Sequence, residues 1–137
     1  MKNILTSGYS GKPLWQKLGI KPSTRLMVLF PPEDYMDLLG TDCTQQLVQS
    51  KPDIIHTFTD SQKTFFATMQ KLEKMYKQNT NLVIWISWYK KSAAVKSDMT
   101  EDIIRNHALA NGLVDVKVCS VSEDWSGLKL VVPLNKR

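Results

Sequence analysis

Three short apolar runs limit what this chain can fold into. Residues 25–30, 54–58 and 82–86 are five or six residues long; the first and third are apolar almost throughout, and the second holds His56 and Thr57 among apolar residues. Near-continuous apolarity over so short a stretch marks a strand covered on both faces, as in the middle of a parallel sheet. A bilayer-spanning helix needs about 20 apolar residues, so none of these runs reads as a membrane segment. Parallel neighbours need long crossovers, and the intervening segments supply them with helical periodicity.

After the first run, Pro31 and Pro32 stop the strand. Pro32 suits the opening position of a helix, and Glu33 and Asp34 fall in the first turn, where the helix dipole favours acids. That helix runs through Leu38 and Leu39 and ends at Gly40. Residues 41–53 stay open between a short helix capped by Asp42 with Gln45 and a ragged edge strand over 45–49. After the second run, Thr59 with Gln62 forms a capping-box pattern. Phe65, Met69, Leu72 and Tyr76 then recur at helical spacing, with Phe66 and Met75 widening the stripe. The third run is followed by a loop over 87–92, and Asp98 with Glu101 opens another helix, which lasts to Ala110 before Gly112.

The end of the chain changes period. Val114, Val116 and Val118 alternate with polar residues, the pattern of a half-buried strand. Residues 122–124 connect it to a last strand over 125–132. A link this short joins only antiparallel strands. The expected fold is therefore α/β, a three-layer Rossmann-like domain. Its mostly parallel sheet of 5–6 strands closes with an antiparallel C-terminal hairpin, the ending of class I methyltransferase-like domains. One domain accounts for all 137 residues, with residues 1–24 as a lead-in that includes a turn of helix around Leu14, Trp15 and Leu18.

Particular segments carry a family resemblance. They are Gly8-Tyr-Ser-Gly, Leu18-Gly-Ile-Lys-Pro22, Trp85-Ile-Ser-Trp-Tyr-Lys-Lys91, the stretch 112–121, and Asp124-Trp-Ser-Gly-Leu-Lys129. Together they resemble a family of short bacterial proteins of unknown function, over nearly the whole chain. Tyr89 stands where that family has a proline between Trp88 and the lysine pair. The resemblance implies a methyltransferase-like fold and a bacterial, cytoplasmic setting, and it implies no activity.

The residues argue against a bound S-adenosylmethionine. A methyltransferase-like domain needs glycine in the turn after its first strand, because the backbone passes close to the cofactor. Here that turn reads Phe30-Pro31-Pro32-Glu33, without glycine and with two prolines that donate no N–H. Only Asp42 offers itself as the ribose-binding acid. Gly8 to Lys12 lacks the spacing and the preceding strand of a phosphate loop. No cofactor is expected. Cys43 and Cys119 have no metal-ligand spacing and fit a reducing compartment. His56, inside an apolar strand, reads as a core histidine and His107 as a surface one; no catalytic triad is supported.

In open parallel sheets, ligands sit beyond the carboxyl ends of the strands. The candidate ligand-binding residues there are Trp88, Lys90 and Lys91, a stacking face beside two cations. Glu33, Tyr35 and Asp60 lie in the neighbouring loops, where Glu33 and Asp60 form an acid–base pair if those loops meet. Lys12, with Tyr9 and Ser10, is placed as a lid. Trp125 is expected to pack under the hairpin. The net charge of +5 comes from scattered lysines and arginines rather than a basic block, so nucleic acid is a weak candidate partner. The leading expectation is a non-catalytic binding or interaction module, with a small anionic ligand or a protein as partner and no membrane. The alternative is a small enzyme or sensor that takes an anionic metabolite or nucleotide at the Trp88–Lys91 edge.

Overall fold

In the computed structural model, which describes residues 11–137, each apolar run becomes a strand. The elements are α1 (Leu14–Leu18), β1 (Leu26–Leu29), α2 (Tyr35–Leu39), β2 (Ile54–Thr59), α3 (Gln62–Gln78), β3 (Val83–Tyr89), α4 (Glu101–Ala110), β4 (Val114–Ser120) and β5 (Trp125–Val131). They build one five-stranded mixed sheet in the order β1-β2-β3-β5-β4. The first three strands are parallel, while β5 runs antiparallel to both β3 and β4. The expected α/β class and closing hairpin are present. None of the helices among the described residues is long and apolar enough to cross a membrane.

Period-2 alternation sorts the strand side chains onto two faces. One core cluster joins Ile55, Ile84, Ile86, Leu128 and Leu130 to Phe65, Met69, Leu72 and Tyr76 of α3 and to Ile104 and Ala108 of α4. The other joins Leu26, Ile54, Phe58 and Trp85 to α1 through Leu14 and Leu18, and to α2 through Tyr35 and Leu39. The stripe of Phe65, Met69, Leu72 and Tyr76 is thus the face α3 buries, whereas Phe66, expected to widen it, is exposed and Met75 is half-buried. Trp85 ties the lead-in to the sheet, since its indole N–H donates to the Leu18 carbonyl at 3.1 Å.

Several expectations need correction. β1 packs on both faces but less completely than expected, with Met27 and Leu29 on the α3–α4 cluster and Leu26 and Val28 on the other. It lies at the sheet edge, where Leu26 bridges to Leu47, and Met27, Val28 and Leu29 are half-buried. β3 runs on through Tyr89, so the loop expected from residue 87 begins later, because β5 pairs with β3 as far as Tyr89–Trp125. Residues 41–53 hold a single 3-10 turn, Thr44–Gln46. In β4 a bulge between Asp115 and Lys117 breaks the alternation, and Val116 and Val118 are half exposed on this second edge strand.

The helix starts also differ. Ser61, not Thr59, caps α3 and accepts from the Thr64 amide. Thr100 caps α4 in the same way through Ile103. Asp98 reaches across to α3 instead, accepting the Gln62 amide at 2.8 Å, while its carbonyl accepts from the Gln62 side chain at 2.9 Å. One acid thereby covers an orphan donor of a helix far along the chain. Asp98→Ala is expected to cost about 1 kcal/mol and to speed exchange of the Gln62 amide while leaving the Ile103 amide unchanged. Urea unfolding with amide exchange tests both halves.

Candidate functional site

The carboxyl ends of the parallel strands bring four aromatic side chains together. Phe30 follows β1, Phe58 lies near the end of β2, Tyr89 ends β3, and Trp125 opens β5 directly opposite Tyr89. Tyr89 and Trp125 stack with ring centroids 3.9 Å apart. Phe58 meets Trp125 edge-on at 4.9 Å. Such offset and edge contacts suit the aromatic quadrupole. Phe30, Pro31, Pro32, Asp60 and Thr64 complete a depression of about 400 Å³ around Phe58, Tyr89 and Trp125.

Phe30 is the anomaly of this cleft. Its backbone sits at φ +56°, a left-handed conformation that costs a side-chain-bearing residue roughly 1–2 kcal/mol. Its ring is 62% exposed, so burial recovers little of that cost. Strain and exposed apolar surface coincide at the turn where a cofactor-binding glycine is absent.

The stacked pair also lines a second depression, of about 650 Å³, on the side of α2 and the β4–β5 turn. Asp34, Asp37, Glu123 and Asp124 face it, and Lys17 is the only basic residue among the described residues that line it. Ser122 Oγ secures the turn by accepting the Asp124 and Trp125 amides, which leaves the two turn carboxylates out of its hydrogen bonding.

The residues singled out by sequence are only partly brought together. Asp60 lines the aromatic cleft, whereas Glu33 is exposed and does not, and no hydrogen bond joins the two among the described residues. Trp88 points to the opposite face of β3 from Tyr89. It is 7% exposed within the α3–α4 core and cannot offer an open stacking face. With Lys90 and Lys91 it does border a depression of about 450 Å³, but Glu101 and Asp102 share that rim and are paired with Arg105. The Lys90 ammonium is held by Ser120 Oγ at 2.7 Å. Lys12 is exposed and lines neither aromatic-side depression, and Tyr9 and Ser10 fall outside the described residues. Trp125 packs against the α1–α2 core as expected and also stands at the centre of the cleft.

Tyr35 is buried rather than poised at the edge. Its hydroxyl lies 2.8 Å from His56 Nδ1, and His56 Nε2 lies 2.7 Å from Ser87 Oγ. Residues 35, 56 and 87 are far apart in sequence, and only the β2–β3 register and the α2 packing align them. A serine, a histidine and a tyrosine in line have the connectivity of an activated nucleophile. Ser87 and His56 are nonetheless fully buried. Gly127 also passes close by, since a Cβ there would stand 3.6 Å from Ser87 Oγ and 3.0 Å from Val121. No substrate reaches this hydroxyl, and the relay is a satisfied polar core. His107 is half-buried against Phe65 and Phe66 rather than a surface group. No cluster of three metal-ligating side chains occurs among the described residues.

No family profile matches the chain, and neither does any curated protein.

Burial drives the His56 pKa down to about 3 from an ordinary 6.5. Below pH 6.5 the unfolded chain takes up a proton that the folded chain refuses. Stability is therefore full above that pH and falls as pH drops toward 3, approaching about 1.4 kcal/mol per unit. His107, lowered by partial burial, adds in the same direction. Denaturant unfolding between pH 6.5 and 4 should show this slope, and His56→Gln should flatten it while lowering stability at pH 7.

Proposed function

We propose that this protein is a non-catalytic binding module on a methyltransferase-like, three-layer Rossmann scaffold, and that its binding site is the aromatic cleft at the carboxyl edge of the sheet. The strand order and the reversed strand β5 inserted beside β3 support that reading of the fold, as do the helices packed on both faces. The likeness to short bacterial proteins of unknown function fits the same reading, including the cytoplasmic setting.

Phe30 is the observation that carries the proposal. In a cofactor-binding domain the turn after the first strand keeps side chains away from the ligand. Here a phenyl ring stands in that turn, on a backbone whose conformation favours glycine. The ring fills space that an adenosyl cofactor would need and gives it to an aromatic wall. A strained, exposed aromatic persists where recognition requires it. The non-catalytic half of the reading rests on the seclusion of the Ser87–His56 pair.

Phe30→Gly should leave stability unchanged or raise it by about 1 kcal/mol, because relief of left-handed strain exceeds the entropy that glycine adds. The same variant should lose the thermal shifts that small aromatic ligands give the parent protein. A ligand at a hundred times its dissociation constant stabilises by about 2.7 kcal/mol. S-adenosylmethionine is expected to give no shift. Stabilisation by that cofactor would refute the proposal, as would a loss of about 2 kcal/mol or more in Phe30→Gly. Shifts given by phosphorylated metabolites and abolished by Lys90→Ala with Lys91→Ala would transfer the site to the Lys90–Lys91 edge.

A further inference from the structure

We infer that the aromatic cleft selects an organic cation, a quaternary ammonium or guanidinium joined to a flat or apolar body. The inference rests on the cleft being the binding site and adds the chemical class of its ligand.

The argument is charge complementarity on an aromatic wall. Five of the thirteen acidic residues line the two depressions that share Tyr89 and Trp125: Asp34, Asp37, Asp60, Glu123 and Asp124. None of the five forms an ion pair with a described residue. By contrast Asp53, Glu73, Glu101, Asp102 and Asp115 are each bridged to an arginine or lysine. Cations are plentiful on a chain of net charge +5, yet among the described residues Lys17 alone lines these depressions, against five acids.

Local structure does not employ these carboxylates either. Asp34 stands at the N-cap of α2 but makes no side-chain capping bond, and that helix is only five residues long. Glu123 and Asp124 occupy a turn that Ser122 already secures. Gathered acids without counterions repel one another, and an incoming cation relieves that repulsion. The faces of tryptophan and tyrosine attract the same charge through the ring quadrupole, most strongly where water is partly excluded. Asp60 lines the aromatic cleft of about 400 Å³ and the other four acids line the adjoining depression of about 650 Å³, which shares Tyr89 and Trp125 with it; both volumes suit a small molecule. The carboxylate of S-adenosylmethionine would meet the acidic rim, so its sulfonium charge alone does not qualify it.

Three probes of similar size test the inference on the full chain: benzyltrimethylammonium, benzyl alcohol and benzoate. Titration calorimetry gives affinities, and the Trp125 indole N–H resonance reports the place of binding. Benzyltrimethylammonium is expected to bind at least about tenfold tighter than benzyl alcohol, with benzoate weakest. Its affinity should fall as salt rises, because exposed charges are screened. Asp34→Asn with Asp37→Asn and Asp124→Asn should weaken the ammonium several-fold and leave benzyl alcohol unchanged. Trp125→Leu should abolish binding of both, with folding checked by circular dichroism and replaced by Phe30→Gly if it fails. Equal affinity for ammonium and alcohol, both lost in the aromatic variants, overturns the cation class and leaves the cleft in place. Ammonium binding that survives both aromatic variants overturns the cleft as well. Failure of benzyltrimethylammonium to bind at millimolar concentration overturns the inference outright.

Discussion

Much of this molecule depends on how closely β5 passes β3 at Gly127. A Cβ at that position would come within 3.0 Å of a Val121 methyl and 3.4 Å of the Trp85 ring. A residue without a side chain lets the last strand insert between β3 and β4 with no shift of Val121, while Trp85 stays fully buried beneath it. From that passage the rest of the register follows. Leu128 and Leu130 turn to the α3–α4 core, and Trp125 falls opposite Tyr89. The aromatic cleft is thus a consequence of how the sheet closes.

The two faces of the sheet divide the work. The α3–α4 side is apolar and dominated by aliphatic strand residues and one helical stripe. The α1–α2 side buries a polar relay through Tyr35, His56 and Ser87 and carries the stacked rings at its carboxyl end. Burial holds the Tyr35 phenol well above its ordinary pKa and His56 well below its own, so both stay neutral. A network of neutral, mutually satisfied groups fixes the α2 position without buried charge. That anchorage sets Asp34 and Asp37 beside the rings.

Legibility in the sequence followed the range of the interaction. The apolar runs, the α3 stripe and the hairpin were readable because each is written in consecutive residues at a period of 2 or 3.6. Asp98 looked like a cap for its own helix and instead serves α3, since any acid within reach of an orphan amide satisfies it. Trp88 lies in the core and Trp125 at the cleft for a reason of parity. In β3 the alternation sends Trp88 to the core and Tyr89 to the cleft, and β5 then delivers Trp125 to Tyr89. Nothing local to Phe30 announces a positive φ, and nothing local to His56 names its partners 21 and 31 residues away.

By itself, then, the sequence determined the α/β class, the parallel strands, the antiparallel close and a turn after β1 that holds no glycine. All of these are local patterns of hydrophobicity, turn chemistry and connection length. The tertiary structure alone decided which aromatic residues meet, which acids line the depressions beside them and which histidine is sealed away. Those outcomes depend on strand register and on which face of the sheet each helix covers. One residue of register turns every side chain to the opposite face.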